Sequence, residues 1–151
     1  QRPGLDEYFM ELAHTVAKRS TCLRRQVGAV IVKGKQIVST GYNGAPSGFD
    51  HCKATGCLRK ELGVPSGERA EICRGLHAEQ NAIIQGALHG VDVSRSTLYV
   101  THQPCLICAK MIINAGIEEV VYSAAYPLGE TALELLREAG VKLRNVGLPH
   151  D

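Results

Sequence analysis

Along the chain, apolar residues fall first at helical spacing and then at strand spacing. Leu5, Phe9, Leu12 and Val16 follow one another at steps of four, three and four, which puts them on one face of a helix over residues 5 to 19. Asp6 and Glu7 open that stretch and Lys18 and Arg19 close it, each charge at the end whose dipole favours it. Residues 27 to 32, VGAVIV, are continuously apolar and rich in branched side chains, and KGK separates them from QIVSTGY; the pair predicts a strand hairpin. From residue 77 the pattern alternates. An apolar helix leads to the strand TLYVT at 97 to 101, a helix over 105 to 115 and the strand EVVYS at 119 to 123. A helix over 130 to 139 follows, with Leu133 and Leu136 on one side and Gly140 as its stop, and then VKL. A hairpin followed by such alternation predicts an α/β fold, a mixed sheet between layers of helix.

One stretch breaks the pattern. Residues 44 to 76 hold two Pro, six Gly and three Cys, more chain than a connection in a compact domain needs, so they read as an insertion that something must tie down. No repeat or second unit appears, and a single domain over residues 1 to 151 is expected. At 44% hydrophobic, the chain can build a real core. Its 17 basic and 15 acidic residues give a formal charge of +2, which argues against an extended nucleic-acid surface and leaves small anions open. No apolar run reaches the roughly 20 residues of a membrane helix. Residues 1 to 20 carry acidic side chains where a secretory signal is apolar, so a soluble, cytoplasmic protein is expected. In that compartment six cysteines favour metal ligation or reactive thiols over disulfides.

Two of them lie in PCLIC. Cys105 and Cys108 share one side of a first helical turn, Pro104 pre-sets the entry, and the helix dipole favours thiolates. The spacing alone fits a redox dithiol, a zinc pair or two buried thiols. In CRGLHAEQNAII, residues 73 to 84, His77 and Glu79 stand two apart at a helix start, an offset that sends side chains to different sides of a helix. Read alone, His77 is an N-terminal cap and Glu79 a first-turn acid. With His77 at the mouth of its helix, its imidazole can meet a metal held by Cys105 and Cys108 while Glu79 reaches the same space. Two thiolates and one neutral imidazole leave a tetrahedral zinc with its fourth position open, the arrangement of a catalytic site, and a carboxyl beside metal-activated water can move its protons.

The sequence H-x-E followed by P-C-x-x-C is the signature of zinc nucleobase deaminases. On these residues the chain resembles the cytidine deaminase superfamily. On RSTCLRRQVGAVIV, GYNGAPSG, HAEQNAI and YVTHQPCLICAKMIINAGI it is similar to the deoxycytidylate (dCMP) deaminases within it. The resemblance implies a three-layer α/β/α sandwich around a five-stranded mixed sheet, and hydrolytic deamination of dCMP to dUMP with release of ammonia. It implies a catalytic zinc at His77, Cys105 and Cys108, with Glu79 passing protons to N3 and then to the leaving amino group. By position, Asn43 contacts the sugar, Ala78 offers its backbone amide to the base, and Val27 and Tyr126 pack near the substrate. Each also fits a plain role, as turn former, helix former, core residue or loop aromatic. A second, structural zinc at Cys22, Cys52, Cys57 and Cys73 would tie the insertion down, with His51 as an alternative ligand and ordinary buried thiols as the plain reading. The loop Gly41, Tyr42, Asn43 and Gly44 matches one that helps bind the effectors dCTP and dTTP between subunits in regulated relatives. A ring-like homo-oligomer, a hexamer, is expected on that basis.

A 5′-monophosphate needs donors, and Arg24, Arg25, Lys33, Lys35 and Lys53 are candidates, although no GxxxxGK occurs. His102, beside the PCxxC turn, is a candidate wall or supporting residue. The rival readings keep the metal: a tRNA adenosine deaminase, a riboflavin-pathway or guanine deaminase, or a non-catalytic zinc-binding module. Near-neutral charge argues against the first, the PCxxC spacing against the riboflavin enzymes, and the presence of Glu79 against the module.

Overall fold

β1 (Gly28–Lys33) is apolar on both faces and lies inside a five-stranded sheet for that reason. Ala29 and Ile31 enter one core cluster while Val30 and Val32 enter another, the period-two alternation of a strand. β2 (Gln36–Tyr42) returns beside it through Gly34 and Lys35, both at positive φ (58° and 64°), the two-residue turn whose twist suits a hairpin. β3 (Thr97–His102) pairs antiparallel with β1 and parallel with β4 (Glu119–Ala124), which pairs parallel with β5 (Lys142–Asn145). The order is β2-β1-β3-β4-β5, a mixed sheet as the hairpin and the alternation require. This computed structural model describes residues 1–52, 56–65, 73–126 and 129–147.

Helices cover both faces. On one, α1 (Leu5–Ala17) sets Phe9, Met10 and Ala13 against Val30, Val32, Tyr99 and Val121. On the other lie α3 (Ala78–Leu88), α4 (Leu106–Asn114) and α5 (Glu130–Glu138). They pack Ala82, Ile112 and Leu136 against Ile31, Leu98, Val100 and Val120. The result is the three-layer sandwich. Gly140, at φ 85°, stops α5 as expected, and Val141 N–H closes the end on Leu136 C=O at 3.0 Å.

α1 departs from the predicted stripe. It ends at Ala17, so Lys18 is its C-cap and Arg19 lies beyond. Its buried face is Phe9, Met10, Ala13 and Ala17, while Leu5 is 47% exposed. The cause is a close approach to the sheet: a Cβ on Gly28 would lie 2.0 Å from Ala13 O and 2.6 Å from Ala17 N. Only small residues fit opposite Gly28, so Ala13 and Ala17 lie there, and the helix turns Leu12 and Val16 to its flank.

The ends of the insertion are tied by backbone. Gly44 N–H donates to Leu76 C=O at 3.1 Å and Leu76 N–H to Gly44 C=O at 2.8 Å. Between them lies α2 (Leu58–Glu61), a single turn; Lys53 falls outside the described residues.

Candidate active site

His77 is the N-cap of α3 and Cys105 the N-cap of α4, each with extended backbone (ψ 159° and 174°). An N-cap side chain is not yet on the helical wheel, so the two-residue offset from His77 to Glu79 poses no conflict. Gln80 Oε1 accepts the His77 N–H at 2.8 Å, so the end is capped while the imidazole faces the thiols. His77 Nδ1 lies 3.4 Å from Cys105 Sγ and 3.2 Å from Cys108 Sγ. Among the described residues this is the only trio of His, Cys, Asp and Glu ligand atoms within 4.8 Å of one another. Tetrahedral zinc separates an imidazole nitrogen from a thiolate sulfur by roughly 3.5 Å, so the donor set fits that ion. Pro104 sits one residue before the N-cap, not at the first helical position, and stiffens the approach to it.

The thiols are inequivalent. A hydrogen bond from Cys108 and the nearby His77 draw Cys105 down to about 4, while the bond to Cys105, burial and the Glu79 charge push Cys108 far up. His77 is raised, chiefly by Cys105. Glu79, in the first turn of α3, is 4% exposed, and burial pushes its carboxyl up to about 7.

His77, Glu79 and Cys105 open onto a cavity of about 590 Å³, with Cys108 buried behind them. Val27, Asn43, Gly44, Ala78 and Tyr126 line it too. Asn43 also braces the wall: its Oδ1 accepts Val27 N–H at 2.9 Å and its Nδ2 donates to Arg25 C=O at 2.7 Å. Gly41 does not line the cavity, because it seats α3 on β2. Tyr42 is 37% exposed, and its carbonyl accepts Asn81 Nδ2 at 2.8 Å.

Cys22, Cys52 and Cys73 line the same cavity and Cys57 does not. Burial, then the neighbouring Cys22, Cys73 and Cys57, raise Cys52, so the four share one neighbourhood. No three of their sulfurs lie within 4.8 Å of one another.

Of the candidate phosphate donors, Arg24 and Arg25 line the cavity. Lys33 instead pairs with Asp92 at 3.2 Å, and Lys35 is a turn residue of the hairpin. Arg59, carried in by α2, was not legible in the sequence, since only the folding back of the insertion brings it here. Gln103 was also missed, although a polar residue between a buried strand and the PCxxC turn was a usable signal. His102 lines the wall and stacks on Tyr126, with centroids 6.1 Å apart and planes 23° from parallel. Burial and then Arg25 lower its pKa to about 4, and it stands neutral. The Arg25 guanidinium lies 4.5 Å from the Tyr126 ring centroid.

A mixed sheet carrying a His–Cys–Cys trio at two helix starts, with a buried carboxyl beside it, defines a zinc-binding deaminase domain. The profile of the cytidine and deoxycytidylate deaminase zinc-binding region matches residues 3–124, and the chain belongs to that family. It is 42% identical over 143 residues to the deoxycytidylate deaminase of Schizosaccharomyces pombe, covering 95% of this chain and 44% of that protein. The chain therefore spans less than half the length of that yeast relative. It is 43% identical over 126 residues to the deoxycytidylate deaminase of Mycobacterium phage D29, covering 80% of this chain and 95% of that one. The crystal structure of dCMP deaminase from the cyanophage S-TIM5 in complex with dCMP and dUMP matches at a TM-score of 0.80 and 33% identity, covering 97% and 99% of the two chains. No helix among the described residues is long and apolar enough to cross a membrane.

Proposed function

We propose that this chain hydrolyses dCMP to dUMP, consuming water and releasing ammonia. The observation that carries the reading is the buried carboxyl of Glu79 opening onto the same cavity as His77 and Cys105, with Cys108 behind them. Relatives named deoxycytidylate deaminase, and the likeness to a dCMP deaminase holding dCMP and dUMP, support the substrate.

Zinc held by His77 Nδ1 and the two thiolates would supply a Lewis acid that makes water nucleophilic near neutral pH. Glu79 moves the protons, because a carboxyl near 7 both accepts and returns one at neutrality. It carries one proton of the attacking water to N3 of the pyrimidine and the other to the 4-amino group as the C4–N bond breaks. Val27, Asn43 and Tyr126 bound the substrate and Ala78 offers its backbone amide. In the same reading, Cys22, Cys52, Cys57 and Cys73 would hold a second, structural zinc, supported by their shared neighbourhood. Two zinc ions per chain in chelator-washed protein are expected, and one removes that site. A cytoplasmic homo-oligomer, with dCTP and dTTP acting near Gly41 to Gly44, belongs to this reading as well. Exposed Ile37, Phe49, Ile84 and Leu88 support the association.

The test is ultraviolet loss of the 4-amino chromophore on dCMP, dCTP and deoxycytidine, with an adenosine-containing RNA hairpin followed alongside. dCMP should react fastest, and Glu79→Ala should lose at least about 10²–10⁴-fold in rate while retaining zinc. Preference for the hairpin overturns the substrate, and an undiminished mutant overturns the role of Glu79.

A further inference from the structure

Gln103 is a polar side chain only 2% exposed that this chemistry does not use. A buried carboxamide is costly unless bonded, and here both ends are. Its Oε1 accepts Tyr126 N–H at 3.0 Å and its Nε2 donates to Gly129 C=O at 2.8 Å. Gly129 N–H also donates to Tyr126 C=O at 3.2 Å, so Gln103 holds two residues that are bonded to each other. The side chain is anchored in turn, because Gln103 N–H prolongs the β3–β4 pairing to Ala124 C=O at 2.8 Å. Its fit is specific: a Cβ on Gly129 would lie 1.8 Å from Gln103 Nε2, so glycine is what lets the amide reach.

Gly129 and Tyr126 both line the cavity, and of the two only Tyr126 brings a side chain to it. Its ring stacks on His102 and carries the Arg25 guanidinium, and all three line the cavity with Glu79. We propose that Gln103 is a positioning residue whose two hydrogen bonds clasp Tyr126 and Gly129 and fix the Tyr126 ring against the bound substrate. The proposal rests on the dCMP reading for its substrate. Glu79 and the metal ligands are placed by the starts of α3 and α4, to which the Gln103 carboxamide makes no hydrogen bond. Loss of the clasp therefore weakens substrate binding, in the ground and transition states alike, more than the chemical step.

Two variants test it. Gln103→Met keeps length and volume and removes both bonds; Gln103→Glu keeps the oxygen facing Tyr126 N–H and removes the donor to Gly129. In Gln103→Met the Tyr126 amide should exchange hydrogen at least about tenfold faster, and in Gln103→Glu it should stay near wild type. KM for dCMP should rise about tenfold in Gln103→Met, with kcat within about threefold. Made in a Tyr126→Ala background, the same substitution should change KM less than about twofold, because the ring it positions is gone. Unchanged exchange at Tyr126, or KM effects that multiply in the double variant, overturns the proposal. If Gln103→Met does not fold, Gln103→Glu decides: a KM rise of about threefold upholds the clasp and none overturns it. Should the wild type leave dCMP untouched, the functional reading fails, while the exchange measurement still decides the clasp.

Discussion

Replacing Gly41 by alanine tests whether one strand position sets the site. Gly41 lies in β2 opposite Ala29, on the face that supports α3, and a Cβ there would stand 2.4 Å from both Ala78 O and Ala82 N. Both are helix backbone, so no side chain can swing aside. Restoring ordinary contact at about 3.5 Å requires α3 to move roughly 1 Å away from the sheet. The start of that helix carries His77 and Glu79, and a displacement of 1 Å in a reacting group costs about 10²-fold. Overpacking itself costs about 1–3 kcal/mol, or about 3–10 °C in Tm for a chain of this size. The assay is thermal unfolding by circular dichroism beside steady-state kinetics on dCMP. Gly90→Ala is the control: at φ 69° with nothing within 4 Å, it adds backbone strain of about 1 kcal/mol and leaves the start of α3 in place. Gly41→Ala should lose about 100-fold in kcat/KM and Gly90→Ala almost nothing. Equal kcat/KM in the two variants would refute the account of how β2 seats the site.

Further outcomes follow from other contacts. Ser39 Oγ donates to Ala82 C=O at 2.6 Å in the buried seam between β2 and α3, so Ser39→Ala should cost about 1 kcal/mol, read as a lower urea midpoint. His102 is held neutral, with its pKa lowered to about 4 by burial and then Arg25. The unfolded state therefore binds more protons between about 6.5 and 4, and folding stability should be complete above 6.5 and fall as pH drops through that window. Urea titrations should show a flatter profile in His102→Asn over the same range. Chelation should lower Tm and added zinc restore it, because the His77, Cys105 and Cys108 set binds the ion only when folded; an unmoved Tm argues against a zinc held there.

Wherever chemistry is local to a turn or a strand, the amino-acid order was sufficient. The branched run of β1 reads as a strand, and the KGK that follows it reads as the turn of a hairpin, as the structure has them. The HxE and PCxxC motifs marked two helix starts because each lies within a few residues of itself, while the joining of the two into one site was implied by the family resemblance. What the order left open depended on approach distances between elements far apart in the chain. The sequence pattern put Leu5 on the buried face of α1, but Gly28 drew Ala13 and Ala17 against the strand and turned Leu5 outward. Arg59 reaches the cavity only because Gly44 and Leu76 bond to each other and fold the insertion back, and Gln103 shows its purpose only once Tyr126 and Gly129 meet its amide. Periodicity records which face a residue occupies, whereas rotation about a helix axis and the reach of a side chain are set by whichever surface packs against it, and that surface exists only after folding.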